Sequence, residues 1–404
     1  MKCNKTKRKI SMPFREAFGR EEIKSMKRVI SYYRKKNTDP LYRGKFEKDF
    51  TSSFAKYMGG GYSCAVATGT ASVYVALQAL KLKPKSEILI SPFIDAGPVN
   101  CVILQGYTPV IVDTAKNSYN ADADNFLSKV TKKTKAVLLV HSAGEPILNI
   151  ETLYKELKKR KIKLLEDCSQ AAGAKVGNKK VGSIGDIAAF STMYRKTLTS
   201  GASGGLIFTK NLKLYKNALA YSDRGKPIWR TNYDFRNPDL HLFPALNWNT
   251  DEFSCAIGKS SLKRLDKTLK LRMNFVNLLT SELELKSKIC KAYSLPKFSS
   301  PYFLPIWVDT KKIRCSKKKF AIALQNEGVF LNADYKFLVS DWKWFKKYSK
   351  QPLKLINANN TRDNSFNLFL NEKYGLREAQ FIIKKILKIE RIFIKKKIVD
   401  FYFS

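Results

Sequence analysis

Short apolar stretches alternate with amphipathic stretches along the first half of the chain. Four apolar stretches have the length of strands and end at turn residues: EILISPF, TPVIVD, KAVLLVHS and KLLEDC. Ahead of them, AVATGTASVYVALQAL predicts a strand end, a turn and a helix with Val73, Ala76, Leu77 and Leu80 on one face. Because strands separated by helices are typical of βαβ units, the pattern predicts an α/β fold with a mostly parallel sheet.

The pattern changes from about Leu246 onward. A long helical run, EFSCAIGKSSLKRLDKTLKLRMNFVNLLTSELELK, is followed by a predicted strand, YFLPIWVD, and a predicted helix, KKKFAIALQNEG. We therefore predict a domain change within the long helix. Residues 1–265 would form an N-terminal segment and a large domain, and residues 266–404 a smaller domain with a basic tail.

The last stretch of the sequence, FIIKKILKIERIFIKKKIVDFYFS, is basic and amphipathic. It predicts a helix that packs on the smaller domain and continues into a tail. The same pattern, with lysines on one face and Ile and Phe on the other, also suits weak contact with an anionic membrane surface. Both interpretations stay open at this point.

Composition limits the class of protein. A chain of 404 residues with 44% hydrophobic and 27% charged residues is typical of a globular protein with a sizeable core. No apolar run approaches the about 20 residues of a membrane span, and MKCNKTKRKISMPF lacks a signal-peptide core, so we expect a cytoplasmic protein. The seven cysteines show no C-x-x-C spacing, and with only His141 and His241 we expect no metal centre.

The formal net charge is +41. A field of this size attracts nucleic acid, anionic membranes or anionic small molecules. Most of the basic residues are lysines spread along the chain among many Ile, Asn, Phe and Tyr, which is typical of AT-rich coding sequences. Since no nucleic-acid-binding motif has the required spacing, we expect no nucleic-acid partner and favour an anionic substrate.

Candidate chemistry is concentrated between Lys163 and Gly205. Glu166 and Asp167 end an apolar strand, and Lys196 stands between strand-like DIAAFS and the glycine-rich TSGASGG. This is the arrangement that a pyridoxal phosphate (PLP) enzyme requires. The lysine holds the aldehyde as a Schiff base, and the carboxylate keeps the pyridine nitrogen protonated so that the ring acts as an electron sink. Strand alternation places only one of the two carboxylates on the cofactor side.

A second candidate element is the turn at Gly69, Thr70 and Ala71, which opens a predicted helix. The free N–H groups and the positive dipole end of such a helix suit a phosphate dianion. The same turn also serves as an ordinary helix cap, so both interpretations stay open.

These motifs and their order resemble the DegT/DnrJ/StrS family of PLP-dependent sugar aminotransferases, within the fold-type I aminotransferase superfamily. ATGTAS resembles the family's phosphate turn, VHSAGEP its VHxxGxP, EDCSQAAGA its EDxAQAxGA and VGSIGDIAAFS its VGSxGDxxxFS. The similarity runs from about Met12 to about Ile389. It implies a large PLP-binding domain with a seven-stranded, mostly parallel sheet and a smaller C-terminal α+β domain.

The resemblance also implies a function. Family members transfer an amino group, by analogy from glutamate, to a keto-sugar attached to a nucleotide diphosphate, in surface polysaccharide or lipopolysaccharide biosynthesis. Two alternatives stay open: an aminotransferase acting on a keto-cyclitol or another non-nucleotide ketone, and a regulatory or membrane-associated relative that keeps the fold without turnover.

Roles for individual residues follow from the resemblance. Lys196 takes the position of the Schiff-base lysine, which favours transamination, since relatives with histidine there act as sugar dehydratases. Family register favours Asp167 as the partner of the pyridine nitrogen. Gln170 is expected near the phenolic oxygen, and the hydroxyl of Ser191 near the phosphate, together with Gly69, Thr70 and Ala71. Asn247 is expected to reach the phosphate of the neighbouring subunit, which implies a homodimer with shared active sites.

The chain departs from the family at three places. Ile94 and Asp95 follow Phe93 where relatives carry an aromatic residue that stacks on the cofactor ring, and Phe93 is the candidate replacement. Asn249 replaces an arginine of the family's NYR segment. The glycine-rich loop is one residue longer, with Ser203 as the extra residue. These departures leave the cofactor chemistry intact and alter the usual sugar-nucleotide contacts.

Overall fold

The fold is described from a computed structural model of the chain, which covers residues 12, 13, 15, 18–349 and 353–395. The basic tail predicted at the end of the chain lies outside these residues from position 396 onward. The strands are β1 (Tyr62–Val66), β2 (Glu87–Ile90), β3 (Thr108–Ile111), β4 (Thr134–Val140), β5 (Lys163–Asp167), β6 (Lys175–Val176), β7 (Lys179–Lys180), β8 (Ile187–Ser191), β9 (Gly205–Thr209), β10 (Cys290–Ala292), β11 (Phe303–Val308), β12 (Leu331–Asn332) and β13 (Ser365–Phe369).

Helices alternate with these strands in the first half of the chain and dominate the second half. The α-helices are α1 (Arg20–Lys36), α2 (Lys45–Tyr57), α3 (Gly69–Ala79), α4 (Ala96–Leu104), α5 (Ala123–Leu127), α6 (Ile150–Lys159), α7 (Leu212–Ser222), α8 (Glu252–Lys263), α9 (Leu265–Lys286), α10 (Lys317–Asn326), α11 (Ile356–Asn364) and α12 (Leu376–Phe393).

Seven strands form the large sheet, in the order β1-β9-β8-β5-β4-β2-β3. β9 runs antiparallel to both of its neighbours, and every other adjacent pair is parallel. The prediction of an α/β fold with a seven-stranded, mostly parallel sheet is therefore confirmed. The strand β9 and the short β6–β7 hairpin were not predicted.

Helices cover both faces of the large sheet, which explains why its strands are apolar along nearly their whole length. Ile88 and Ile90 of β2 pack into the cluster formed with α3 and α4, whereas Leu89 packs into the cluster formed with α5 and α6. A third cluster lies under α2 and α8 and includes Phe190 and Phe208. Side-chain alternation along each strand thus supplies apolar residues to both layers.

A second, antiparallel sheet has the order β10-β11-β13-β12. Its core is filled by residues of α9, α10 and α12, among them Phe275, Phe320 and Ile386. The predicted long helix is two helices, because α8 ends at Lys263 and Arg264 has non-helical dihedral angles (φ −103°, ψ 1°). The domain division after residue 265 stays a prediction. Met12, which that division assigns to the large domain, packs into the core of the second sheet.

The C-terminal helix α12 places its apolar face against the second sheet. Ile382, Ile383, Ile386 and Ile389 are buried in that core. The predicted packing of this helix on the second half of the chain is confirmed, whereas Ile392 at the end of the helix is exposed. Within the described ranges, no helix has both the length and the apolar character required to cross a bilayer.

Candidate active site

The predicted catalytic and phosphate-binding residues converge on one edge of the large sheet. β1, β5 and β8 run in the same direction, and Gly69, Asp167 and Ser191 stand at or just beyond their carboxyl ends. In open α/β sheets, ligands bind in the crevice outside this edge. Lys196 follows Ser191 by a short irregular loop, so the lysine returns to the same edge.

Asp167 is a buried carboxylate whose hydrogen-bond donors among the described residues both belong to Ser169. Its Oδ1 accepts a hydrogen bond from the backbone N–H of Ser169 at 2.9 Å, and the hydroxyl of Ser169 also hydrogen-bonds the carboxylate. Burial raises the pKa of Asp167, while the hydroxyl and the N–H of Ser169 and the positive charge of Lys196 oppose that rise. A cation beside this carboxylate would stabilise its ionised form, so Asp167 fits a protonated pyridine nitrogen.

Glu166 has a different environment on the other face of β5. Its two oxygens accept hydrogen bonds from the backbone N–H groups of Gly182 (2.6 Å), Ile184 (2.9 Å) and Gly185 (2.6 Å), and Nε2 of His141 lies 3.2 Å away. This carboxylate organises the turn between β7 and β8. Strand alternation therefore leaves Asp167 on the side of Lys196, as family register favours.

His141 completes the cluster around Glu166. Its Nδ1 accepts the N–H of Ile147 at 3.2 Å, which assigns the proton to Nε2, where it is donated to Glu166. Ligand atoms of His141, Glu166 and Cys168 lie within 4.8 Å of one another, a spacing that a metal ion would tolerate. Because both ring nitrogens already have protein partners, we assign His141 a structural role.

The phosphate turn begins α3. The side-chain oxygen of Thr68 accepts the N–H of Ala71 at 2.9 Å, whereas the N–H groups of Gly69 and Thr70 have no acceptor within the described parts of the chain. A Cβ added to Gly69 would lie 2.6 Å from Cβ of Ser191, so the Ser191 side chain lies directly against the turn. Gly69, Thr70 and Ser191 thus form a donor set for a phosphate. The N–H of Ala71 already donates to Thr68, so a phosphate would have to displace Thr68 to bind it.

Gln170 is held by the turn that follows β4. Its Oε1 accepts the N–H of Ala143 at 2.8 Å, and its side chain also hydrogen-bonds Tyr335. Ala143 and Gly144 both have left-handed φ angles, 61° and 82°. A Cβ at Gly144 would lie 1.8 Å from the carbonyl oxygen of Ser300, so a glycine is required where this turn meets the chain beyond α9.

Phe93 lies inside an aromatic cluster. Its ring is 1% exposed, with ring centroids of Tyr119 at 4.6 Å and Tyr335 at 5.9 Å. Stacking on a cofactor would require this ring to present a face that the cluster covers, so the stacking role stays a prediction. Asp95, at the neighbouring family position, is exposed and caps α4 through the N–H of Gly97.

Asn247 is exposed and lies beside the end of β1. The carbonyl oxygen of the next residue, Trp248, accepts the N–H of Ala67 at 2.9 Å, and Asn249 donates two hydrogen bonds to the Asn247 Oδ1. Ser203, the extra residue of the glycine-rich loop, donates to the Ala67 carbonyl at 2.7 Å. The reach of Asn247 into a neighbouring subunit stays a prediction.

Sequence reasoning missed one residue of the site. Nζ of Lys196 lies 4.4 Å from the centroid of the Tyr302 ring. Tyr302 is the first residue of the predicted strand YFLPIWVD, and no local pattern connects it to the lysine. The signal available in the sequence was Gly144 in VHSAGEP, since a glycine at a turn can indicate that another segment of the chain approaches the backbone closely.

Solved structures with this fold include aminotransferases and related PLP enzymes. PseC of Helicobacter pylori, an aminotransferase involved in the biosynthesis of pseudoaminic acid, has a TM-score of 0.83 and 22% identity, with 94% of this chain and 98% of that chain covered. A GDP-4-keto-6-deoxymannose-3-dehydratase with a trapped PLP-glutamate geminal diamine has a TM-score of 0.82 and 21% identity, with 93% and 99% covered. At these identities, the likeness establishes the fold class.

The chain belongs to the DegT/DnrJ/EryC1/StrS aminotransferase family, which it matches over residues 20–387. A curated relative, the GDP-perosamine synthase of Vibrio cholerae, is 29% identical over 241 residues, which are 60% of this chain and 63% of that protein. The match thus spans less than two thirds of that relative's length. The family predicted from the motifs is confirmed.

Proposed function

We propose that this chain is a PLP-dependent aminotransferase that transfers an amino group from glutamate to a nucleotide-linked keto-sugar, in the cytoplasm, for surface polysaccharide or lipopolysaccharide biosynthesis. The observation that carries the proposal is the convergence of Lys196, Asp167 and the phosphate turn on one edge of the large sheet. Family membership and the sugar-nucleotide enzyme among its relatives support it.

The described residues fit each part of the cofactor. The N–H groups of Gly69 and Thr70 and the hydroxyl of Ser191 would hold the phosphate, and the carboxylate of Asp167 would accept a hydrogen bond from the protonated ring nitrogen. The amide of Gln170 would donate to the phenolic oxygen. When bound, PLP supplies an electron sink for the negative charge that develops at the substrate carbon.

The protein moves the proton through Lys196. Its Nζ lies at the site edge, where a neutral amine can accept a proton from the substrate carbon and return it to another carbon. The backbone N–H of Lys196 donates to the carbonyl of Met193 at 2.9 Å, which fixes the start of the side chain. A lysine at this position favours transamination over the dehydration carried out by relatives with histidine.

The substrate class is proposed from charge and resemblance. The formal charge of +41 favours a substrate with a diphosphate, and the substitution of Asn249 for the family arginine alters how a nucleotide would be held. Mass spectrometry of reactions with glutamate and GDP-, dTDP- or UDP-linked keto-sugars, with a keto-cyclitol as comparison, tests the class. Amination of the cyclitol alone would favour the non-nucleotide alternative.

Lys196→Ala is expected to abolish amino transfer, because the variant lacks the amine that would bind the aldehyde covalently at this edge. Borohydride reduction of the PLP-loaded protein, followed by peptide mapping, is expected to place the label on Lys196. Lys210→Ala, at an exposed lysine after β9, is the matched control and is expected to retain both label and activity. Label on a different lysine would contradict the assignment, and a PLP-free, inactive wild type would favour the non-catalytic alternative.

A homodimer with shared sites is part of the proposal. Phe235, Leu242 and Leu246 are 54%, 44% and 55% exposed on the segment that leads to Asn247, and exposed apolar groups of this kind are typical of a protein interface. Asn247 would then act across that interface. A weak contact with a membrane surface would use the lysines of α12 and the exposed end of this helix at Ile392, since Ile382, Ile383, Ile386 and Ile389 are buried.

A further inference from the structure

A segment from the second half of the chain enters the candidate active site. The N–H of Ser300 donates to the carbonyl of Gly144 at 2.8 Å, and the N–H of Tyr302 donates to the carbonyl of Ala143 at 3.1 Å. The hydroxyl of Ser300 also lies 3.3 Å from that of Thr197, the residue after the candidate lysine. Residues 299–302 are therefore tied both to the turn after β4 and to the lysine loop.

These contacts place the Tyr302 ring against Lys196. Nζ lies 4.4 Å from the ring centroid, within the range in which a cation is attracted to an aromatic face. The structure gives this nitrogen no hydrogen-bond acceptor and no ion pair among the described residues. Two charged groups act in this region. Lys196 lowers the pKa of Asp167, and Tyr302 affects the pKa of the buried Arg272.

We propose that Tyr302 is a positioning residue whose ring face holds the ammonium group of Lys196 when the lysine is not covalently occupied. The inference rests on the proposed function, in which Lys196 must both carry a proton and give it up. A carboxylate at contact distance would favour the charged amine strongly and accept its proton. An aromatic face attracts the cation but accepts no proton, so it fixes Nζ without removing its reactivity.

The roles of the ring and of the hydroxyl are separable. Tyr302→Phe keeps the aromatic face, whereas Tyr302→Leu removes the face and keeps apolar bulk. Tyr302→Met is a second variant without a ring, for use if the leucine variant does not fold. Phe298→Leu is the matched control, since Phe298 directly precedes residues 299–302, is 49% exposed and has the cation of Lys297, not that of Lys196, at 5.5 Å from its ring.

The experiment measures covalent capture of PLP by the full-length protein rather than turnover. PLP-depleted protein is mixed briefly with PLP between pH 6 and pH 10 and quenched with borohydride, and the labelled Lys196 peptide is quantified. Wild type, Tyr302→Phe and Phe298→Leu are expected to share one midpoint pH. Tyr302→Leu and Tyr302→Met are expected to show a midpoint lower by about half a unit to one unit, because the ring no longer favours the cation.

Two results would overturn the proposal. An unshifted midpoint in both ring-free variants would show that Tyr302 only fills space, even if capture became slower. A shift in Tyr302→Phe as large as in Tyr302→Leu would assign the effect to the hydroxyl. Failure of the proposed function has a separate signature, because wild-type protein would then carry no label on Lys196 at any pH.

Discussion

Replacing each member of the acidic pair by its amide is expected to have opposite consequences. In Glu166→Gln, one carboxylate oxygen becomes an NH₂ group inside a site that contains four donors. If the remaining oxygen faces Ile184 and Gly185, the new NH₂ faces the N–H of Gly182 and the Nε2–H of His141. A change of tautomer does not relieve the conflict, since Nδ1–H of His141 would then face the N–H of Ile147.

The size of the effect follows from the number of donors left without acceptors. A buried donor that loses its acceptor costs about 1–3 kcal/mol, so two such donors lower the free energy of unfolding by about 2–6 kcal/mol. Asp167→Asn is expected to behave differently. The amide oxygen can keep the bond from the Ser169 N–H, and the Ser169 hydroxyl can accept from the new NH₂ group instead of donating, so folding stability stays near that of wild type.

Thermal unfolding and cofactor-dependent turnover distinguish the two variants. Glu166→Gln is expected to lower the melting temperature by several degrees. Asp167→Asn is expected to keep the melting temperature and PLP binding but lose most activity, since a neutral amide no longer favours a protonated ring nitrogen. A Glu166→Gln protein that melts within about 1 °C of wild type, or near-normal turnover by Asp167→Asn, would refute the division of roles along β5.

Three further predictions concern the interface, pH dependence and the phosphate turn. Mixing Asn247→Ala with Lys196→Ala is expected to restore about a quarter of wild-type activity, because half of the dimers are hybrids and each hybrid has one intact site. Activity no higher than that of Asn247→Ala alone would show that Asn247 acts in its own subunit. Burial raises the pKa of Glu145 from 4.5 to about 7. Between these values the carboxyl ionises in the unfolded state but not in the folded state, so the free energy of unfolding falls as pH rises. Glu145→Gln is expected to reduce the pH dependence of the melting temperature between pH 5 and pH 8, and an unchanged dependence would contradict this. Gly69→Ala places a Cβ 3.1 Å from Cα and 2.6 Å from Cβ of Ser191, an overpacking that costs about 1–3 kcal/mol. The variant is expected to bind PLP about tenfold more weakly or worse in a fluorescence titration. Unchanged affinity would argue against a phosphate at this turn.

Local sequence determined much of this protein, because the relevant signals have short range. Apolar strands of four to seven residues, helices of regular period and the glycine turn before α3 follow from neighbouring residues alone. Alternation along β5 required that Glu166 and Asp167 point to opposite faces. The family motifs also predicted which lysine, which carboxylate and which phosphate turn belong to one site.

Tertiary structure decided which of these residues acquire partners from distant parts of the chain. Three of the four donors to Glu166 come from the turn after β7, and the cluster that covers Phe93 includes Tyr335 from the second half of the chain. Tyr302 reaches Lys196 because Gly144 admits the carbonyl of Ser300 at a distance that no Cβ would allow. Such contacts depend on how two sheets pack against each other, and hydrophobic periodicity within either half carries no information about that packing.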